Sequence, residues 1–299
     1  MGYIFLAMSM AGGLGKGLCG RKVSNDVCDF KDCIFVNIMR LLFCAVIGLL
    51  VVLVTGGGEF SSITGGELRI YAISAISTAI FLICWMYEYK SEAYIFLNIF
   101  IMLGSIVTCV CGLVVYKEPI PLTKWISLLV ILCAVVIMSG YNRNVGKKMG
   151  KHLVILITGT ISSAIADFSQ TMYVREIGGE VMQFNLYTYV FALALLLVTY
   201  LVYTVTHHIE GNEPKLTAHL YTKKSMLIYF AIAGCLYLNA ITKTMANRTM
   251  QISQIYPVLS GATLIASAIM AHILFKERIN KRSVSAMSMA LAGIVGLAI

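Results

Sequence analysis

Long apolar runs dominate the chain, and short polar segments separate them. Each run is about 20 residues long, which is the length that a helix needs to cross the hydrocarbon core of a bilayer. The runs are too long and too uniformly apolar for the strands of a membrane β-barrel. The pattern therefore predicts an all-α integral membrane protein with ten transmembrane helices. The predicted spans lie at about 3–20, 34–55, 69–88, 93–115, 122–140, 152–173, 183–206, 226–244, 252–274 and 283–299.

Composition agrees with a membrane location. Charged residues make up 12% of the chain and hydrophobic residues 59%, whereas soluble domains carry about 25% charged residues. The net charge of +9 comes from basic residues near predicted helix ends, where they set topology, so we expect no nucleic-acid partner. The expected partners are a small-molecule substrate and membrane lipid, and a homodimer stays open.

Two short motifs recur along the chain and indicate an internal repeat. Residues 116–120 (YKEPI) follow helix 4, and residues 275–279 (FKERI) follow helix 9. Residues 37–43 (NIMRLLF) are echoed by residues 185–191 (NLYTYVF). Five spans per half force the two halves to insert with opposite orientations, as in transporters that bind solute between inverted repeats. The predicted units are a first five-helix repeat at 1–140, a linker at 141–151 and a second five-helix repeat at 152–299, around a central cavity.

The repeated pattern of an apolar helix, an aromatic-Lys-Glu turn and a Gly/Ala-rich closing helix resembles the EamA-type repeat of the drug/metabolite transporter superfamily. Arg40 lies where that family often has arginine. Residues 256–261 (YPVLSG), FKERI and residues 292–295 (AGIV) are similar to the last two helices of the small multidrug resistance branch. The resemblance implies alternating access in a multi-pass protein of a bacterial inner membrane. It implies no particular substrate.

Asp167 is a carboxylate inside a predicted span, about 15 residues or roughly 22 Å into helix 6. A charged side chain at the bilayer centre costs about 2.5–3.5 kcal/mol on insertion scales, so it needs a partner, a wet cavity or a function. The small multidrug resistance branch has an embedded carboxylate with a basic residue at the spacing of Asp167 and Arg175. The resemblance therefore implies that Asp167 binds proton or substrate, although Leu14 occupies the matching position in the first repeat. The alternative is a structural ion pair or a hydrogen-bonded aspartate.

Lys16 lies in a glycine-rich stretch of helix 1. Such glycines permit close helix packing or local unwinding. Alignment of the repeats places Lys16 beside Ser169, so Lys16 and Asp167 could face each other in the cavity. The alternative is that Lys16 extends to the headgroups. Arg40, near the start of helix 2, is more simply interpreted as structural than as a ligand-binding residue.

Glu88 lies among aromatic residues near the end of helix 3. A belt at the headgroups is the simpler interpretation, and a cage for an amine, formed with Trp85, is the alternative. Uncharged polar residues inside the spans are candidates for the cavity lining, although some would instead bond between helices. The polar residues that we include in the binding site are Gln170, Tyr173, Asn185, Tyr237, Asn239 and Tyr256.

The five histidines show no metal-ligand spacing, so we predict no metal and no cofactor. With no ATP-binding motif, we expect a proton-coupled secondary active transporter of a small organic solute, such as an amino acid, an amine, a similar metabolite or a drug. An uncoupled exporter or exchanger is the alternative. A membrane enzyme is disfavoured, because no nucleophile–base pair is visible at membrane depth. Asp167, Glu88 and the aromatic residues favour a cationic solute, Lys16 and Arg40 favour a carboxylate, and both signs together fit a zwitterion such as an amino acid.

The direction of insertion is contested. Basic residues are concentrated in the odd-numbered loops. This count assigns Lys243 to the even-numbered loop after helix 8. The positive-inside rule then places both termini outside the cell, whereas the resemblance to ten-helix transporters implies both termini inside. Cys28 and Cys33, in the loop after helix 1, would report which is correct.

Overall fold

The computed structural model describes residues 2–55, 63–91, 94–117, 121–139, 149–209, 217–276 and 281–298. These residues form ten α-helices, and no strand occurs among them. The helices are α1 (Gly2–Ser24), α2 (Phe30–Val54), α3 (Gly65–Ser91), α4 (Tyr94–Tyr116), α5 (Leu122–Ser139), α6 (Met149–Met172), α7 (Val181–Ile209), α8 (Lys223–Asn247), α9 (Ile252–Phe275) and α10 (Lys281–Ala298). A π-helical turn (Tyr173–Ile177) extends α6, and a 3₁₀ turn (Ala218–Tyr221) precedes α8.

Six of these helices, namely α2, α3, α6, α7, α8 and α9, contain segments long and apolar enough to cross a membrane, judged by length and composition. Shorter apolar segments lie in α4, α5 and α10. In α1, the five glycines from Gly12 to Gly20 and Lys16 interrupt the apolar run. The all-α membrane fold is therefore confirmed, and the count of ten spans stays a prediction.

Helix packing follows the two repeats. Helix α1 packs against α8, and α6, its counterpart in the second half, packs against α3. Helices α2 and α7, α4 and α9, and α5 and α10 pack against each other, so each of these three pairs joins counterparts. Exchanging the two halves thus maps this set of major contacts onto itself. The two-repeat architecture expected from the motifs is confirmed.

The recurring motif also has a recurring backbone geometry. Lys117 directly follows α4 with φ 49°, and Lys276 directly follows α9 with φ 54°. A left-handed residue just after the last turn is a common way to end a helix, although glycine usually occupies it. The remaining residues of the two motifs, at 118–120 and 277–279, lie outside the described residues. The two repeats therefore end their fourth helices in the same way.

The glycine-rich part of α1 is a packing surface. Helix α1 is continuous, and a Cβ atom added at Gly12 would collide with the backbone of Cys235 and Asn239 on α8. Ser9 Oγ donates a hydrogen bond to the Asn239 carbonyl (3.0 Å) across this contact. Of the two roles that the sequence leaves open for these glycines, the structure shows close packing.

Several loop residues lie elsewhere than the sequence suggests. Gly65 and Gly66 begin α3 and do not belong to the preceding loop, whose residues 56–62 lie outside the described part. Cys33 belongs to α2 and is buried, whereas Cys28 is exposed. Most of the predicted linker, residues 141–148, also lies outside the described residues.

Candidate functional site

A cavity lies between the two repeats. Its described lining comes from α1 to α4 in the first half and α6 to α9 in the second. Its volume is about 120 Å³, enough for a small organic solute and well above the roughly 10–15 Å³ that holds one water. The polar and aromatic lining residues are Lys16, Arg40, Thr78, Phe81, Trp85, Tyr89, Ser105, Ser163, Asp167, Gln170, Phe184, Asn185, Thr188, Tyr189, Asn239, Lys243, Tyr256, Ser260 and Thr263.

Asp167 and Lys243 form an ion pair at the cavity wall. Lys243 Nζ donates a hydrogen bond to Asp167 Oδ1, and this contact joins α8 to α6. The side chain of Lys243 is 11% exposed and that of Asp167 is 14% exposed, so neither charge is fully hydrated. A structural ion pair is one of the roles that the sequence suggests for Asp167, but the sequence does not identify Lys243 as the partner. That lysine lies inside α8, and its assignment to the following loop is corrected.

Lys16 points into the same cavity. Its Nζ donates a hydrogen bond to Asn239 Oδ1 (3.3 Å) and lies 5.8 Å from the centre of the Phe81 ring. This geometry favours the cavity interpretation over extension to the headgroups. Lys16 and Asp167 thus share the cavity lining, as the repeat alignment suggests, although each has a different direct partner.

Asn239 fixes the position of that lysine. Its Nδ2 donates hydrogen bonds to the Ser9 carbonyl (2.7 Å) and to Ser9 Oγ (2.9 Å) on α1. With both amide donations directed at Ser9, the side-chain oxygen is left facing Lys16. Asn239 therefore joins α1 to α8 and orients a cation at the cavity wall.

Tyr256 supports the backbone of Asp167. Its hydroxyl donates a hydrogen bond to the Asp167 carbonyl (2.7 Å) and accepts one from Asn247 Nδ2 (3.2 Å). Thr171 Oγ1 lies 3.1 Å from the same hydroxyl. The ring is buried in an apolar cluster that includes Leu6 of α1 and Ala246 of α8. These contacts hold the segment of α6 that carries the carboxylate.

Gln170 and Asn185 line the cavity and share a partner on α8. Thr244 Oγ1 donates a hydrogen bond to Gln170 Oε1 (3.3 Å). Asn185 Nδ2 donates to Thr244 Oγ1 (3.5 Å) and to the Val181 carbonyl (2.9 Å). Both predictions that these residues face the cavity therefore agree with their placement, and both side chains also connect helices.

Arg40 lies in the cavity wall and is only 4% exposed. Its Nη1 donates a hydrogen bond to Asn37 Oδ1 (2.8 Å), one turn earlier on α2. Its Nε has no hydrogen-bond partner in the described part of the chain. The simple structural interpretation of Arg40 therefore leaves part of its guanidinium unexplained.

Three predicted site residues lie outside the cavity lining. Tyr173 packs with Tyr71 in an aromatic cluster, where their hydroxyl oxygens are 3.2 Å apart. Tyr237 is buried against the Tyr189 ring. These side chains lie on helix faces that pack against neighbouring helices, so they do not reach the cavity.

Glu88 is the third. It is fully buried, and both of its carboxylate oxygens lie 3.1 Å from His152 Nδ1 on α6. This position fits neither a headgroup belt nor an amine cage, because Trp85 lines the cavity while Glu88 does not. The pair joins α3 to α6.

Lys243 is the charged residue of the described cavity lining that sequence reasoning missed. A signal for it exists, since Asn239, Lys243 and Asn247 are spaced four residues apart on α8. This spacing places polar side chains on one helix face. Among the described residues, no group of three or more His, Cys, Asp or Glu side chains could hold a metal ion.

Comparison with known proteins identifies the family. A solved structure described only as "Crystal structure of protein" matches with a TM-score of 0.69 and 11% sequence identity, covering 99% of this chain and 95% of that chain. At this identity the match supports the fold alone. No curated protein matches the chain. The sequence profile of the EamA-like transporter family matches residues 3–140 and again residues 150–299. The chain is therefore a multi-pass membrane protein that belongs to the EamA-like transporter family.

Proposed function

We propose that the protein is a secondary active transporter that moves a small organic solute across a membrane by alternating access. The cavity between the repeats carries this proposal, because four helices from each half contribute to its described lining. Transporters built from inverted repeats bind solute at such an interface and expose it to either side as the halves rock. A bacterial inner membrane is the location that the family resemblance suggests.

We further propose that Asp167 couples transport to protons. The carboxylate holds Lys243 when it is charged. A proton on Asp167 would neutralise it and release Lys243, so the two states of the cavity would differ in charge. The binding of solute would then depend on whether the proton is present, which is the requirement for coupling.

The same ion pair also supports a second candidate, an uncoupled exchanger. A lysine that permanently neutralises Asp167 would make the pair a fixed brace between α6 and α8. Transport would then exchange one solute for another without a proton.

Flux measurements in proteoliposomes distinguish these functions. Purified protein is reconstituted with a trapped pH-sensitive dye, and amino acids, amines and organic acids are added singly. Solute-dependent proton movement supports the coupled transporter. Uptake that requires solute inside the vesicles and does not change with a pH gradient supports the exchanger. No uptake of any solute class, in vesicles that contain folded protein, would contradict both.

A further inference from the structure

We infer that the solute is a small organic anion, whose carboxylate or phosphate group binds between Lys16 and Arg40. This inference rests on the proposed function, because it takes the cavity to be the solute site. The sequence leaves open whether the solute is a cation, a zwitterion or a carboxylate, and this inference selects an anion.

The balance of charge in the cavity supports an anion. The described lining carries three cationic side chains, Lys16, Arg40 and Lys243, against the single carboxylate of Asp167. Lys243 occupies that carboxylate directly. Among the described residues, no carboxylate lies within salt-bridge distance of Lys16 or Arg40. Two positive charges therefore lie at the cavity wall without a counter-charge in contact.

Lys16 and Arg40 both have hydrogen-bond donors without a partner in the described part of the chain. Within the described part of the chain, Lys16 Nζ makes one hydrogen bond, to a neutral amide oxygen, although an ammonium group has three donors. Arg40 is almost fully buried, and its Nε has no partner in the described part of the chain. A buried cation without a counter-charge is costly, and an anion would satisfy both residues with charge-assisted hydrogen bonds. The planar guanidinium suits the paired oxygens of a carboxylate or phosphate.

The rest of the cavity accommodates an apolar body. Phe81 and Trp85 line it with ring centres 5.3 Å apart, and Phe81 lies beside Lys16. A solute with an acidic group at one end and a flat or apolar part at the other would contact both kinds of surface. A free amine would instead face two positive charges.

Trp85 makes this inference measurable. The chain has two tryptophans, and Trp125 lies exposed on α5, away from the described cavity lining. The W125F variant therefore leaves Trp85 as a single fluorescent reporter in the cavity. It is titrated with benzoate, phenyl phosphate, phenylalanine, benzylamine and benzyl alcohol, which share one ring and differ in charge. We expect a saturable response to benzoate or phenyl phosphate and a much weaker one to benzylamine.

Lys16→Met and Arg40→Gln, each made in the W125F background, should weaken anion binding about tenfold or more, since each removes a charge-assisted bond. Lys16→Arg retains the charge, and its affinity for the anion should stay within a few-fold of the parent. It tests the role of the charge even where Arg40→Gln fails to fold. Lys22→Met is the matched control, because it removes an exposed charge from the same helix. Equal or tighter binding of benzylamine, unchanged anion binding in Lys16→Met, or no response to either anion up to about 10 mM would overturn the inference. Flux is measured separately, so a failure of transport contradicts the proposed function and leaves the binding result intact.

Discussion

Asp167 on α6 and Lys243 on α8 are joined by an ion pair at the wall of the central cavity, on helices from the same half of the chain. The pair lies beside Tyr256, whose hydroxyl holds the carbonyl of Asp167. The carboxylate is thus held at its backbone by α9 and at its side chain by α8. A change in the protonation of this one residue would alter contacts among three helices.

We expect Asp167→Asn and Lys243→Met to lower the free energy of unfolding by up to about 3–5 kcal/mol each, because each leaves one buried charge without its partner. The double variant should recover most of this loss. If Asp167 carries the proton, the double variant folds but shows no solute flux driven by a pH gradient. Unfolding in SDS titrations and flux in proteoliposomes measure the two effects. Full pH-driven flux in the double variant would show that the pair is only structural.

Gly12→Ala should destabilise the protein by about 1–3 kcal/mol, because the added methyl group meets the backbone of α8 and forces α1 outward. Gly234 on α8 provides the matched control, since nothing lies within 4 Å of a Cβ added there. Gly234→Ala should be neutral, or stabilising by up to about 1 kcal/mol through helix propensity. Thermal unfolding in detergent compares the two variants. Equal effects of both would contradict close packing of α1 on α8.

Glu88→Gln should affect stability and spare binding. The substitution removes the carboxylate partner of His152 in a buried position, with an expected loss of about 1–3 kcal/mol. Since Glu88 does not line the cavity, the affinity for benzoate measured through Trp85 should stay within about twofold. A tenfold loss of affinity without loss of stability would return Glu88 to the binding site.

Cys28 should be protected from a membrane-impermeant thiol reagent in intact cells and become labelled after permeabilisation. The reason is the concentration of basic residues in the odd-numbered loops, which strengthens once Lys243 is moved from a loop into α8. Cys28 is exposed and Cys33 is buried, so of these two only Cys28 should react. Cys133 on α5 is exposed as well, so the informative signal is the part that depends on Cys28. Cys28→Ser should remove it. Ready labelling in intact cells would place both termini inside.

The sequence predicted the helices well because membrane spans are specified by local composition. Each predicted span overlaps its helix, although several helices extend beyond the prediction, by as much as four residues in α1, α2 and α3. The cavity was harder to predict, since the direction of a side chain depends on how helices rotate against each other. Gln170, Asn185 and Asn239 were placed correctly as polar residues inside spans.

The predicted site residues that lie outside the cavity lining have a common physical explanation. Tyr173 and Tyr237 satisfy the same polarity criterion as Tyr256, but they lie on faces buried by neighbouring helices. Lys243 falls within the predicted span 226–244 but was counted with the loop that follows it. Here α8 continues to Asn247, and the carboxylate of Asp167 lies within reach. No local pattern identifies a partner 76 residues away in the chain.

The left-handed lysines that follow α4 and α9 are informative about ancestry. A left-handed backbone costs most residues roughly 1–2 kcal/mol, so it is an unusual choice for lysine at either site. The same choice at Lys117 and Lys276 is what two copies of one ancestral five-helix polypeptide would retain. Because α2 meets α7, α4 meets α9 and α5 meets α10, the ancestral copies would have met through like surfaces, as in a twofold homodimer. The cavity between the present halves would then correspond to the subunit interface of that homodimer.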